Sequence, residues 1–164
     1  WAVLFWLQIL AKKQCEVSNL MEEHWHTYGR HYYSRHDYEE IPSEIALHLY
    51  KRVELMLPSL VGESFGGSSI KQADNFSYKD PVDGSFSEGQ GLRILLEDGS
   101  RAILRLSGTG TKGATLRVYL ERYVKSNSDL GVNPQKALKL LIDNINSLAQ
   151  ISLRTGMNVP TVIT

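Results

Sequence analysis

Apolar residues follow two different periods along this chain, and the switches between them mark its elements. Residues 1–11 are almost wholly apolar and predict a helix, with a polar link over Lys12–Glu16 behind it. Ser18 is placed to cap a short helix over Asn19–Tyr28, with Leu20, Met21 and Trp25 as its apolar stripe and Gly29 as its stop. The aromatic-rich stretch His31–Ile41 reads as extended. From Pro42 a helical period returns in Ile45, Leu49, Val53 and Met56, and Pro58 is expected to end that helix near Leu57. Gly62–Ser69 reads as a loop and Ile70–Tyr78 as a strand, with turn chemistry at Asp80-Pro-Val-Asp-Gly84.

Beyond residue 90 the period is two. Leu92, Ile94 and Leu96 alternate up to Asp98-Gly99, a strong hairpin signal. Ala102, Leu104 and Leu106 then share one face, and Leu116, Val118 and Leu120 share the corresponding face after an intervening loop. The last helix is expected from an Asn133 cap and Pro134 to a stop at Gly156, with Leu138, Leu141, Ile142, Ile145, Leu148 and Ala149 as its apolar side. Helix, strand, helix, several antiparallel strands, helix is the order of an α+β domain: an antiparallel sheet with helices packed on one face.

Bulk composition narrows the partners more than it narrows the fold. At 164 residues the chain has room for one substantial core. Lys+Arg and Asp+Glu both total 18, and no block of like charge stands out. That argues against nucleic acid or an anionic membrane as the main partner. The single cysteine, Cys15, excludes an intramolecular disulfide and points to a cytoplasmic setting. Residues 1–10, apolar but for Gln8, are too few to span a bilayer and lack the flanks of a signal peptide. They read as a core helix cut in the middle.

The richest chemistry lies in Arg105-Leu-Ser-Gly-Thr-Gly-Thr-Lys-Gly-Ala-Thr-Leu-Arg117. Gly108, Gly110 and Gly113 permit a tight turn that brings backbone N–H groups close to an anion. Ser107, Thr109, Thr111 and Thr115 supply hydroxyls, and Arg105 and Arg117 supply guanidinium forks that match phosphate oxygens. Alternation puts both arginines on the side away from the apolar face. The run is neither a Walker loop nor a dinucleotide fingerprint, since Lys112 is followed by Gly113 and no helix follows. From the residues alone, an anion cradle and a plain hydroxyl-glycine turn both remain open.

The same run resembles the phosphate-binding loop in the last domain of phosphoglucomutases. Ala73-Asp-Asn-Phe-Ser-Tyr-Lys-Asp-Pro-Val-Asp-Gly-Ser85, Gln90-Gly-Leu-Arg93 and Glu97-Asp-Gly-Ser-Arg101 resemble the strands before it. His24-Trp25, Tyr28-Gly-Arg30, Arg35-His-Asp-Tyr-Glu39 and the closing Pro160-Thr-Val-Ile-Thr164 resemble the rest of that domain. The similarity covers nearly the whole chain and is to the eukaryotic-type glucose enzyme.

The resemblance implies a TATA-binding-protein-like domain over 17–164, preceded by a helix remnant and linker over 1–16. It implies that Arg105, Ser107, Gly108, Thr109, Thr111 and Arg117 contact the phosphate of a phosphosugar. The implied enzyme is an intramolecular phosphotransferase that interconverts glucose 1-phosphate and glucose 6-phosphate through a phosphoserine and glucose 1,6-bisphosphate, with Mg²⁺. The nucleophilic serine loop, the three-aspartate metal loop and the sugar loop of that family have no counterpart here. The chain alone is therefore expected to be inactive, with Mg²⁺ ligands elsewhere and the preceding domains as partners. Gly62-Glu63-Ser64-Phe65-Gly66 imitates the sugar loop but falls in the wrong domain and is rejected as a site. Arg30 and Arg35 read as solvated or structural. A non-catalytic relative that binds cytoskeletal or adhesion partners is the alternative, disfavoured by the intact phosphate loop; a mutase for mannose or N-acetylglucosamine phosphates is a third reading.

Overall fold

A computed structural model gives the fold of residues 1–110 and 113–164, the side chains of residues 109 and 110 excepted. In chain order the elements are α1 (Ala2–Lys13), α2 (Val17–Tyr28), β1 (Arg30–Ile41), α3 (Ser43–Leu60), β2 (Ser64–Phe65), β3 (Ser68–Asn75), β4 (Tyr78–Lys79) and β5 (Phe86–Ser87). There follow β6 (Leu92–Leu96), β7 (Arg101–Gly110), β8 (Gly113–Val124), α4 (Pro134–Ala137), α5 (Lys139–Ala149), α6 (Ile151–Thr155) and β9 (Val162–Ile163). Contacts gather into two compact units, Trp1–His31 with Tyr123–Val132, and Tyr32–Arg122 with Asn133–Thr164.

The larger unit is a sheet with helices on one face. Seven strands run in the order β2-β3-β6-β7-β8-β1-β9, while β4 and β5 form a separate two-stranded ribbon. The register places Leu92 opposite Leu104 and Ile94 opposite Ala102, then Leu104 opposite Val118 and Leu106 opposite Leu116. One face of the central strands is therefore continuous hydrocarbon. Ala46, Leu49, Val53 and Leu57 of α3, with Leu141, Ile145 and Ala149 of α5, are buried together with it. Leu104 is completely enclosed, so truncating it to alanine would cost about 2–5 kcal/mol. The fold class read from the alternation is the one observed.

Several boundaries differ from the sequence reading. The α3 stripe is Ala46 and Leu57, not Ile45 and Met56, because hydropathy undercounts a small alanine and Ile45 faces outward. Pro58 sits inside the last turn of α3, since burial of Leu57 at the sheet holds the turn in place despite the lost N–H. Ser18 is not a cap: α2 starts one residue before it, behind Glu16, which makes no side-chain cap bond. The expected final helix is three pieces, broken at Leu138 and at Gln150, whose φ of 54° is left-handed. Its Asn133 cap does form, accepting from the Gln135 N–H at 2.9 Å.

Residues 62–69 are a hairpin and not a free loop. Gly66 and Gly67, at φ 61° and 93°, make the two-residue turn that joins β2 to β3. A Cβ on Gly66 would come within 2.4 Å of Leu141 Cδ2, and the Gly66 N–H donates to Asn144 Oδ1 at 3.2 Å. Phe65 is buried. The rejected sugar-loop imitation thus serves packing against α5.

The smaller unit is held by polar contacts. Arg30 stacks over the Trp25 ring at 3.9 Å and donates to the carbonyls of Leu130 and Val132. Tyr123 Oη donates to the Tyr28 carbonyl at 2.8 Å. Helix α2 ends at Gly29, as its sequence suggests, with the Gly29 N–H on the Trp25 carbonyl. Helix α1 buries none of its residues.

Candidate functional site: an arginine-bearing sheet face

The face of the sheet opposite the helices carries the charge. Along β7 and β8, Arg101 stands opposite Glu121, Ile103 opposite Tyr119, Arg105 opposite Arg117, and Ser107 opposite Thr115. Their neighbours Ala102, Leu104, Leu116, Val118 and Leu120 are buried in the core, so the period of two turns these eight side chains outward. Two like charges placed directly across a strand pair repel. Such a pair marks a place where an anion would be welcome.

The backbone next to the two arginines is irregular. Ser107 pairs with Thr115, but the next pairing is Gly110 with Gly113, so β7 carries an extra residue. This is a β-bulge, a device that re-aims side chains and backbone beside sites. Gly108 lies in the bulge at φ 67°. At the exit, Gly113 has φ 91° and an added Cβ would lie 2.9 Å from the Ile41 carbonyl oxygen. Only glycine lets the strand come back so close to the end of β1, where Glu40 is itself left-handed at φ 58°. Thr111 and Lys112 lie outside the described residues, as do the side chains of Thr109 and Gly110.

Strand β1 adds a group that the sequence reading set aside. Arg35, read as solvated or structural, places Nε 3.0 Å from Asp37 Oδ1, and Arg117 places Nε 3.8 Å from Asp37 Oδ2. The Asp37 side chain is only 5% exposed, whereas those of Arg35 and Arg117 are 38% and 40% exposed. Both Nε atoms and Asp37 Oδ1 are buried and lack a hydrogen bond among the described residues. The charges are close but not aligned. Arg105 has no acidic partner among the described residues, and its stem runs over Gly91, where a Cβ would come 3.0 Å from Arg105 Cγ.

Arg35 and Arg105 line one cleft of about 520 Å³, with Tyr33, Ile103, Tyr119 and Thr164 among its walls. A signal for Arg35 did exist in the sequence: in an extended 31–41 segment, Arg35 and Asp37 share a face. What was missing was the pairing of β1 with β8, which strand periodicity cannot give.

The other arginines of this face are matched. Arg93 makes a two-pronged pair with Asp74, Nε to Oδ1 at 3.0 Å and Nη2 to Oδ2 at 2.8 Å, and stacks on Phe76 at 4.5 Å. Those hydrogen bonds, with help from Gln72, hold the Asp74 carboxyl below its ordinary value against the opposing effect of burial. Arg101 Nε donates to Glu121 Oε2 at 2.6 Å.

A metal does not fit the acids present. Asp74 is taken by Arg93 and Gln72, while Asp80 and Asp83 accept from backbone N–H groups of their own turn at Val82 and Ser85. No group of three or more His, Cys, Asp or Glu residues among the described residues is arranged to hold a metal ion. Among the described residues no helix is long and apolar enough to cross a membrane.

Fold and face together define an α+β domain whose helix-free sheet face carries a bulged glycine loop flanked by arginines. The profile of the family described as Phosphoglucomutase-1, C-terminal domain, matches residues 30–161, and the chain belongs to that family. The phosphoglucomutase of Rhizobium radiobacter is 49% identical over 164 residues, covering all of this chain and 30% of that protein. Phosphoglucomutase-1 of Oryctolagus cuniculus is 45% identical over 170 residues, again covering all of this chain and 30% of its own length. Among solved structures, the open form of the Paramecium exocytosis-sensitive phosphoprotein pp63/parafusin, a phosphoglucomutase, superposes with a TM-score of 0.86. It is 38% identical and covers all of this chain and 29% of that one. The chain spans about a third of the length of the relatives it matches.

Proposed function

We propose that residues 17–164 are the phosphate-clamping C-terminal domain of a phosphoglucomutase, with 1–16 belonging to the end of the preceding domain. One observation carries the reading: Arg105 and Arg117 face each other across β7 and β8 at the mouth of a glycine bulge. A phosphate seated there would bridge the two guanidiniums and remove their repulsion. The Ser107 hydroxyl and the N–H groups of Gly108 and Thr109 would take further oxygens. Thr111 belongs to the same proposal through the family resemblance.

The whole enzyme would interconvert glucose 1-phosphate and glucose 6-phosphate through a phosphoserine, with glucose 1,6-bisphosphate as intermediate, in the cytoplasm. Holding the non-transferred phosphate fixes the hexose, so that its free hydroxyl meets the phosphoserine in line. Mg²⁺ would stabilise charge on the phosphoryl group in transit, and its ligands would come from outside this chain. The present residues bind and orient, and closure over the substrate would keep water from the phosphoserine. NMR titration of the chain with glucose 1,6-bisphosphate tests this. Amides of Ser107 to Thr109 should shift in a saturable way, and no shift there would refute the clamp.

A further inference from the structure

Asp37 is the odd group on this face: an acid, almost completely enclosed, set between Arg35 and Arg117. Resting on the phosphate-clamp reading, we propose that Asp37 is the positioning residue of the clamp and that Arg35 is its third guanidinium. Asp37 takes the inner Nε edges of Arg35 and Arg117 and so leaves their terminal nitrogens to a phosphate dianion.

The geometry supports this division. Each guanidinium has a buried Nε 3.0 or 3.8 Å from one carboxylate oxygen, while its side chain remains more than one-third exposed. A planar fork drawn to a carboxylate by one edge leaves its other edge to a second anion. Arg105, opposite Arg117 on β7, flanks it on the side away from β1. Three guanidiniums against one carboxylate leave two positive charges, the complement of a phosphate dianion. Buried polar atoms normally find hydrogen bonds. Here Arg35 Nε, Arg117 Nε and Asp37 Oδ1 do not among the described residues, and catalytic contacts of this kind often tighten only when ligand arrives.

The proposal makes a prediction opposite in sign to plain electrostatics. Asp37→Asn makes the face more positive by one charge, so a carboxylate that merely competes with the ligand would, when removed, give tighter anion binding. A positioning carboxylate would give weaker binding, because Arg35 and Arg117 lose the group that aims them. The test is calorimetric titration of the chain with inorganic phosphate and with glucose 6-phosphate, for wild type, Asp37→Asn, Asp37→Glu and Arg35→Lys, with thermal melts of each.

We expect Asp37→Asn to weaken phosphate at least about tenfold, the size of one charge-assisted hydrogen bond. Asp37→Glu should recover part of that loss, and Arg35→Lys should weaken binding several-fold with an unchanged melt. Equal or tighter phosphate binding by Asp37→Asn overturns the proposal. If Asp37→Asn does not fold, Arg35→Lys decides, and wild-type affinity in that variant overturns it. Arg105→Ala and Arg117→Ala run in parallel separate the two levels. If both bind like wild type, or if wild type itself does not bind, the clamp reading falls and this inference with it. If they weaken binding while the Asp37 and Arg35 variants do not, only the inference falls.

Discussion

One sheet face carries two sets of arginines, and they are treated oppositely. Arg93 and Arg101 each have their own acid, Asp74 and Glu121, on the neighbouring strand. Among the described residues Arg35 and Arg117 share Asp37 alone, and Arg105 has no acidic partner. The matched set sits over regular ladder, where Arg93 stands opposite Ile103 and Asp74 opposite Arg93. The unmatched set sits beside the bulge and the close approach of Gly113 to β1. Cross-strand opposite charges stabilise a sheet and like charges directly opposite destabilise it. The matched arginines therefore look after the fold, and the unmatched ones leave a charge deficit that a ligand would fill.

The sharpest break in this comparison comes from Arg117→Ala in a full-length enzyme carrying this domain. Loss of a two-pronged, charge-assisted contact should lower kcat/KM for glucose 1-phosphate by about 2–3 kcal/mol. Arg117→Lys should restore only part, since an ammonium has no planar fork. The melting temperature should change little, because relief of the repulsion with Arg105 offsets the lost approach to Asp37, which keeps Arg35. Steady-state kinetics beside thermal melts decide it, and wild-type turnover by Arg117→Ala would remove that residue from the clamp.

Ser107→Ala should have a smaller effect on the same assay, about 1 kcal/mol, as a neutral hydroxyl makes the weaker bond to phosphate. Ser107 is opposite Thr115 at the last regular pairing before the bulge. A loss as large as that of Arg117→Ala would mean that the hydroxyl shapes the bulge itself, which a shift of the Gly108 and Thr109 amide resonances in the unliganded variant would reveal.

These residues were visible in the sequence because local chemistry and period coincide there. Hydroxyls, glycines and two arginines lie within thirteen positions of a chain, and alternation alone sends Arg105 and Arg117 away from Leu104 and Leu116. The same alternation exposed the core of β6, β7 and β8, and the Asn133 cap was legible from one residue and its proline. Arg35 and Asp37 were not legible as members of the proposed clamp, because they lie some 70 positions before Arg105 and Asp37 approaches Arg117 only through strand pairing. The Gly66-Gly67 turn reads as loose loop in the sequence although a glycine pair is itself a two-residue hairpin signal. The breaks at Leu138 and Gln150 left no mark, since an apolar period continues across both. Tertiary packing, not propensity, set those boundaries.

The smallest expected effect sharpens the matched side. Arg93→Gln should leave phosphate titration unchanged and cost about 1 kcal/mol of stability at neutral pH, the upper range for a partly exposed pair with good geometry. Its signature is in acid. Asp74 titrates below its ordinary value because Arg93 binds its charged form. A carboxyl whose folded value is depressed contributes stability that is fully present above the unfolded value, about 3.9. That stability is lost as pH falls through the lower, folded value. The gap in urea midpoint between wild type and Arg93→Gln should thus be constant from neutral pH down to about 5 and should narrow on further acidification. A gap that stays the same at pH 3 would mean that Arg93 acts through its stacking on Phe76 and not through Asp74. A loss of phosphate affinity in Arg93→Gln comparable to that in Arg105→Ala would show that the two arginine sets are one, and the division drawn between them would be wrong.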